Sequence, residues 1–328
     1  MKRAPPPERF PAEQAHRVVD VNARGAGRRL DAYLAVRFSD WSRSAFARLI
    51  REGLVRSDRR GALKPSTTVT EGEILRIYIP GLAPDAPPPP LPPVLYEDDV
   101  LLVFDKPAGL LVHSVGQKWS YGLVGLARGA RPDADVDLSH RLDRETSGVV
   151  VLSKNATVNR RMKELFQTRM VGKTYVALVR GAPPWEEVVC DAPLGPATGS
   201  EVELKRGAQV DGDSARTSFS VLRRRSDWSL VTCRPLTGRT HQIRAHLDIL
   251  GFPILGDKLY GQPDDVFLEY IKLGPTERVR AALRFPRHAL HARAITFPHP
   301  VSGQAIRVKA PLPPDMRTIV EGGEPTWE

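Results

Sequence analysis

Hydrophobic residues recur with two different periods along this chain. Leu30, Leu34 and Phe38 fall at helical spacing. Phe46, Leu49 and Ile50 then gather on one face of a second helix, which Ser42 or Ser44 can cap. Arg43, Arg48 and Arg51 are left on the wet side of that helix. Past Gly53 the pattern turns to short strand-like runs, Leu54-Val55 and Ile74 to Ile79. From Val94 onward strands dominate: 94–96, 101–104, 149–152, 174–179, 217–222 and 230–233 are rich in β-branched and aromatic residues with turn-like flanks. Helical periodicity there is confined chiefly to 158–166 and 241–250. Strands and helices in irregular order predict an α+β fold on a mixed, mostly antiparallel sheet, preceded by a small α/β unit.

Proline marks the division between the two. Eight of the fourteen residues from Pro80 to Pro93 are proline, a composition that gives an extended spacer without a core. The expected organisation is a disordered tail over 1–15, a small domain over 16–80, a proline-rich linker over 81–93, a large domain over 94–317 and a second tail over 318–328. A chain of 328 residues is long enough for two such cores.

Charge narrows the class of partner. Lys and Arg number 48 against 38 Asp and Glu, a formal net charge of +10. Such an excess points to an anionic partner, nucleic acid before membrane surface. Half of it sits in residues 28–80, which is a concentration and not a uniform compositional bias. No apolar run reaches the roughly 18 residues a membrane helix needs, and nothing apolar follows the early charges Lys2 and Arg3, so neither a membrane span nor a cleaved secretory leader is expected. The two cysteines, Cys190 and Cys233, are too few for a disulfide framework or a four-ligand metal site, and favour a reducing cytoplasm. His288, His291 and His299 have no acidic or thiol partner nearby in sequence, so no metal is expected.

The densest polar cluster, His140-Arg141-Leu142-Asp143-Arg144-Glu145-Thr146-Ser147-Gly148, runs straight into the apolar stretch Val149 to Leu152. A charged turn feeding a buried strand can hold a reactive side chain rigidly. On residue types alone, Asp143 is either such a group or a turn cap paired with Arg141 or Arg144. Glycine-rich stretches such as 195–199 lack the Lys-Ser/Thr ending of a phosphate loop.

The run from Arg28 to Ile77 resembles the S-four-like RNA-binding domain, whose basic second helix faces RNA; that resemblance marks Arg43, Arg48 and Arg51 as RNA contacts. His140-Arg141-Leu142-Asp143 with Thr146-Ser147-Gly148 matches the signature HRLDxxTSG of the RluA family of RNA pseudouridine synthases. "DKPAGLLVH" (105–113), "KTYVALVRG" (173–181), "PLTGRTHQIRAHLDILGFPILGDKLYG" (235–261) and "HALHARAITFPHPVSG" (288–303) resemble further blocks of that family in order. Asp105 and Ser114 depart from the family's usual Asn and Pro, and residues 114–139 align poorly.

The resemblance implies isomerisation of uridine within RNA, with ribosomal RNA of the large subunit as first choice. Transfer RNA, or a catalytically silent RNA-binding assembly factor, is the alternative. It implies Asp143 as the carboxylate acting on the ribose, as nucleophile or as ribose-proton base. Arg244 would be its partner, Tyr175 an aromatic beneath the flipped base, and Arg141 the residue filling the vacated stack. Arg239 and His241 would orient phosphate or backbone groups. No metal, cofactor or membrane is called for, and a cytoplasmic monomer that flips its target base is expected.

Overall fold

The computed structural model describes residues 17–21, 23, 25–38, 43–78, 89–112, 122–324 and 326–327. The expected N-terminal tail, most of the expected linker and Ser42 lie outside these residues. Two compact units emerge, Met1–Leu91 with His113–Ala130, and Pro92–Val112 with Arg131–Glu328.

In the first unit β1 (Arg17–Asp20), α1 (Leu30–Arg37), α2 (Arg43–Arg51), β2 (Val55–Ser57) and β3 (Ile74–Ile77) follow in order. The strands form an antiparallel sheet in the order β1-β3-β2. Leu30, Leu34, Phe46, Leu49, Ile50, Leu75 and Ile77 share one buried cluster, so the two helices and the sheet close a small core. Removing that apolar surface from water is the main stabilising term for so small a unit. Asp31 is buried and holds Arg29 at 2.9 Å and Arg43 at 3.1 Å. Buried Glu73 accepts from the Ser57 hydroxyl and from the Thr70 backbone and hydroxyl. Helix α3 (Leu123–Ala130) groups with this unit, which corrects the expectation that 94–317 forms one contiguous domain. Leu123, Val124 and Ala127 are buried, and Arg128 donates to the Val36 carbonyl at 3.0 Å.

The second unit begins with β4 (Val94–Glu97), β5 (Leu101–Lys106), β6 (Asp137–Leu138), β7 (Ser147–Ser153), α4 (Ala156–Gln167) and β8 (Gly172–Arg180). It continues through β9 (Glu187–Cys190), β10 (Leu194–Pro196), β11 (Arg206–Ala208), β12 (Thr217–Arg224), β13 (Trp228–Pro235), α5 (Gln242–Ile249) and α6 (Asp264–Leu273). It ends with α7 (Glu277–Leu283), β14 (Leu290–Pro298), β15 (Ala305–Lys309) and α8 (Pro314–Glu321). The large sheet runs β4-β5-β7-β14-β8-β13-β12-β9, with β15 beside β14 and β6 beside β7. Its pairings are antiparallel except β14 with β7, as the mostly antiparallel pattern predicts.

Strand β7 is buried at every position, which is why its sequence reads as a continuous apolar run and not as an alternation. One cluster packs Val149 and Val151 with Val158 and Met162 of α4 and Ile295 of β14. A second joins β8 and β13 to Ile243 and Leu247 of α5 and to Met316 and Ile319 of α8. Those last contacts correct the expected loose tail over 318–328: Met316 and Ile319, one helical turn apart, are both buried, and Trp327 packs beside Val279 and Leu283. Helix α4 starts at Asn155, whose side chain accepts from the Val158 amide. Gly148 sits at φ 108° where β7 meets β14, and a Cβ there would strike the Ala292 carbonyl. Among the described residues no helix is long and apolar enough to cross a membrane.

Candidate active site

The turn between β6 and β7 is anchored before it is functional. Leu142 is buried, so its neighbours Arg141 and Asp143 are turned outward, Arg141 exposed and the Asp143 side chain 29% exposed. The Thr146 amide closes the turn on the Asp143 carbonyl at 3.1 Å. Thr146 Oγ1 lies 2.7 Å from His288 Nε2, and Ser147 Oγ lies 3.0 Å from His291 Nδ1. Beneath the turn the buried Lys106 ammonium donates to the carbonyls of Pro107, Leu110 and Arg144. Burial pulls its pKa down to about 7, with Arg287 adding to that pull. Glu145 accepts from Lys258 Nζ at 2.5 Å and from the His288 amide at 3.1 Å. His140 turns inward: its Nε2 accepts from the Val151 amide and its ring packs at a tilt against Phe166, with centroids 4.9 Å apart. Burial holds His140 neutral, with a pKa of about 4.

The partner of Asp143 is Arg244, whose Nη1 donates to Oδ2 at 3.1 Å. Neither Arg141 nor Arg144 fills that place; Arg144 donates to the Gly109 carbonyl. Arg244 is itself held from behind. Its Nε and Nη2 donate to Asp257 at 2.6 and 2.8 Å, and its guanidinium lies 5.2 Å over the Tyr260 ring. Asp257 is wholly buried and accepts from the Leu259 and Tyr260 amides. Burial pulls the Arg244 pKa down, but Asp257 and Asp143 outweigh it and leave the guanidinium more firmly charged than usual.

Tyr175, from β8, lines the same cleft. Burial first, then the Asp143 charge, push its phenol pKa above the ordinary value, so it stays neutral. The cleft encloses about 950 Å³. Arg141, Arg169, Lys173, Arg234, Arg239 and Arg244 line it, against one carboxylate, Asp143. Gln242 shapes its floor: Oε1 accepts from the Thr237 hydroxyl and the Arg239 amide, while Nε2 donates to the Arg216 carbonyl and Thr217 Oγ1. Arg239 reaches the Ser214 carbonyl at 3.1 Å. Such a site offers a single carboxylate facing a cation-lined cavity, with no second acid among the described lining residues to activate water. No group of His, Cys, Asp and Glu among the described residues is arranged to hold a metal.

The structure therefore brings Asp143, Tyr175, Arg244 and Arg141 to one cleft. Arg43, Arg48 and Arg51 lie on α2 in the other unit; Arg48 and Arg51 are exposed, and Arg43, 57% exposed, is shared with Asp31. Asp257, Tyr260, Lys106 and Glu145 were not singled out from sequence. All four lie inside the motif blocks, and their membership of those blocks was the available signal.

Comparison with known proteins bears on this geometry. Residues 100–248 match the family model described as RNA pseudouridylate synthase, and residues 28–75 match the S4 domain. A protein of Pasteurella multocida, "Ribosomal large subunit pseudouridine synthase C", is 35% identical over 94% of each chain. One of Xanthomonas campestris pv. campestris, "Ribosomal large subunit pseudouridine synthase D", is 36% identical over 94% of this chain and 93% of its own. The solved structure "Human RNA Pseudouridylate Synthase Domain Containing 4" is similar at 31% identity with a TM-score of 0.52, over 67% of this chain and 88% of that one. With the Asp143 turn, its arginine and the whole-length similarity in agreement, the chain belongs to the RNA pseudouridylate synthase family, an isomerase preceded by an S4 domain.

Proposed function

We propose that this protein converts uridine to pseudouridine in the RNA of the large ribosomal subunit, with Asp143, Arg244 and Tyr175 at the reacting nucleotide. The reaction breaks the bond from N1 to C1′ of the ribose, turns the base, and joins C5 to C1′. The C5 proton is lost and N1 gains one, so the product is an isomer. The observation that carries the reading is the Asp143–Arg244–Asp257 chain: one carboxylate facing the cleft, paired with an arginine that a second, buried carboxylate locks in place. Cleavage builds positive character on the sugar, which a carboxylate on that face stabilises. The neutral Tyr175 ring suits stacking against an uncharged base.

The bond is out of reach inside a stacked helix, so the nucleotide is extruded at a cost of a few kcal/mol. Exposed Arg141, two residues from Asp143, takes the vacated space, since a planar guanidinium stacks on bases. The cations around the cleft and Arg43, Arg48 and Arg51 on α2 hold the phosphate backbone without reading sequence. The relatives named for the large subunit support that choice of RNA. The test is tritium release from large-subunit ribosomal RNA labelled at uridine C5. Wild type releases tritium, whereas Asp143→Asn and Asp143→Ala release none yet bind the RNA with unchanged affinity. Full turnover by either variant overturns the assignment, and release from transfer RNA alone moves the substrate.

A further inference from the structure

His241 is held in a way the carboxylate–arginine pair does not require. It precedes α5 with φ 57° and ψ 15°, in the left-handed region that side chains other than glycine seldom enter. Strain of that kind persists only where the surroundings enforce it, and it clusters at functional sites. The surroundings here are specific. The Thr237 hydroxyl and the Arg239 amide both donate to the buried Gln242 side chain, fixing the loop that leads into the residue. The imidazole stands edge-on to the Tyr260 ring at 6.0 Å, with Nδ1 3.3 Å from the Tyr260 hydroxyl.

The Tyr260 hydroxyl accepts from the Arg206 amide at 3.0 Å and keeps its own proton to donate to His241 Nδ1. With Nδ1 as acceptor, Nε2 carries the hydrogen, and this is the tautomer the inference assigns. Nε2 has no hydrogen-bond partner among the described residues and is not among the buried unpaired atoms, while the residue lines the cleft that holds Asp143 and Arg244. Burial, with Arg244 next, keeps the ring neutral, its pKa down to about 4. A neutral N–H donor fits a carbonyl; the phosphates are served by the arginines and Lys173 around it.

We infer that His241 is a catalytic residue that donates from Nε2–H to a carbonyl oxygen of the target uracil and stabilises the negative charge gathering there as the glycosidic bond breaks. The electron pair of the N1–C1′ bond leaves with the base and spreads from N1 onto its carbonyl oxygens; Asp143 balances the sugar, and no proton leaves His241. A preorganised donor at such an oxygen acts on the transition state more than on the bound substrate. The inference rests on the pseudouridine synthase reading.

Single-turnover tritium release and RNA affinity, measured on the same C5-labelled ribosomal RNA, test it. His241→Phe keeps a ring against Tyr260 and removes the N–H; its rate is expected to fall about 100-fold with affinity within threefold of wild type. His241→Gln, whose amide can donate from a similar reach, recovers at least tenfold of that loss. Long-range proton–nitrogen NMR of the free enzyme shows His241 protonated at Nε2 and bare at Nδ1. A wild-type rate in His241→Phe, an affinity loss equal to the rate loss, no recovery in His241→Gln, or the opposite tautomer overturns the role. The parent reading fails separately, and visibly, if wild type releases no tritium or Asp143→Asn releases as much as wild type.

Discussion

Replacing Asp257 by Asn tests whether the buried charge chain behind Asp143 does what its geometry implies. Arg244 is 7% exposed and spends two of its three nitrogens on Asp257, at 2.6 and 2.8 Å, leaving only Nη1 for Asp143. Asp257 Oδ1 also accepts from the Leu259 and Tyr260 amides. Whichever way the new amide turns, its NH₂ meets a donor, and a buried guanidinium keeps only one, partly exposed, counter-charge. Breaking a buried pair from one side costs about 3–5 kcal/mol. For a chain of this size that is a fall in Tm on the order of 10 °C. Arg244 then swings toward Asp143, and a displacement of about 1 Å at a reacting group costs roughly 100-fold in rate. Thermal unfolding and single-turnover tritium release at saturating RNA read the two effects. The double variant Arg244→Met with Asp257→Leu separates them: it regains at least half of the lost Tm and stays inactive, because an apolar pair restores packing but not the chemistry. A wild-type Tm and rate in Asp257→Asn, or activity in the double variant, would refute the reasoning.

Three further outcomes are expected. Gly148→Ala puts a Cβ into the Ala292 carbonyl at a φ of 108°, so the β7–β14 join is strained and the soluble yield and Tm both drop; a Tm within a degree of wild type contradicts it. His140 and the fully buried His291 have pKa values pushed down by burial from 6.5 to about 4. The unfolded chain therefore binds protons that the native one does not between those values, and stability present above pH 6.5 is lost as pH falls toward 4, by up to about 3 kcal/mol per histidine. A Tm flat from pH 7 to 5 argues against that. Changing Arg48 and Arg51 to Ala weakens RNA binding and lowers the slope of log affinity against log salt by about 2; an unchanged slope assigns those charges to solubility.

Local patterns were legible in the sequence where a single element decides its own fate. Leu30 and Leu34 revealed α1 by their helical spacing, and Phe46 and Ile50 revealed α2, whose other face carries Arg43, Arg48 and Arg51. Strand β7 was equally plain from its apolar middle, Val149 to Leu152. Strand β14 was not, since His291 and Arg293 interrupt it and read as polar; only the fold shows that buried His291 meets Ser147 across the parallel join. Helix α8 was hidden by Pro313, Pro314 and Gly322, which proved to be its start and stop signals. At the site, the motif led to Asp143, Tyr175 and Arg244. Asp257 escaped because a carboxylate's burial and its pairing with Arg244 appear only once the chain is folded.

The position of β14 bears on how the protein is made. Strands β4, β5 and β7 lie on one side of it and β8, β13, β12 and β9 on the other, yet its first residue, Leu290, is synthesised after all of them. Until then the growing chain carries two half-sheets whose facing edges, β7 and β8, have open backbone donors and acceptors that invite foreign pairing. His288, which meets Thr146, and Asp315, which pairs with Arg287, arrive in the same late stretch. A polypeptide stalled before Leu290 should be aggregation-prone and without activity, so the working site is acquired only after both halves of the sheet have already been made.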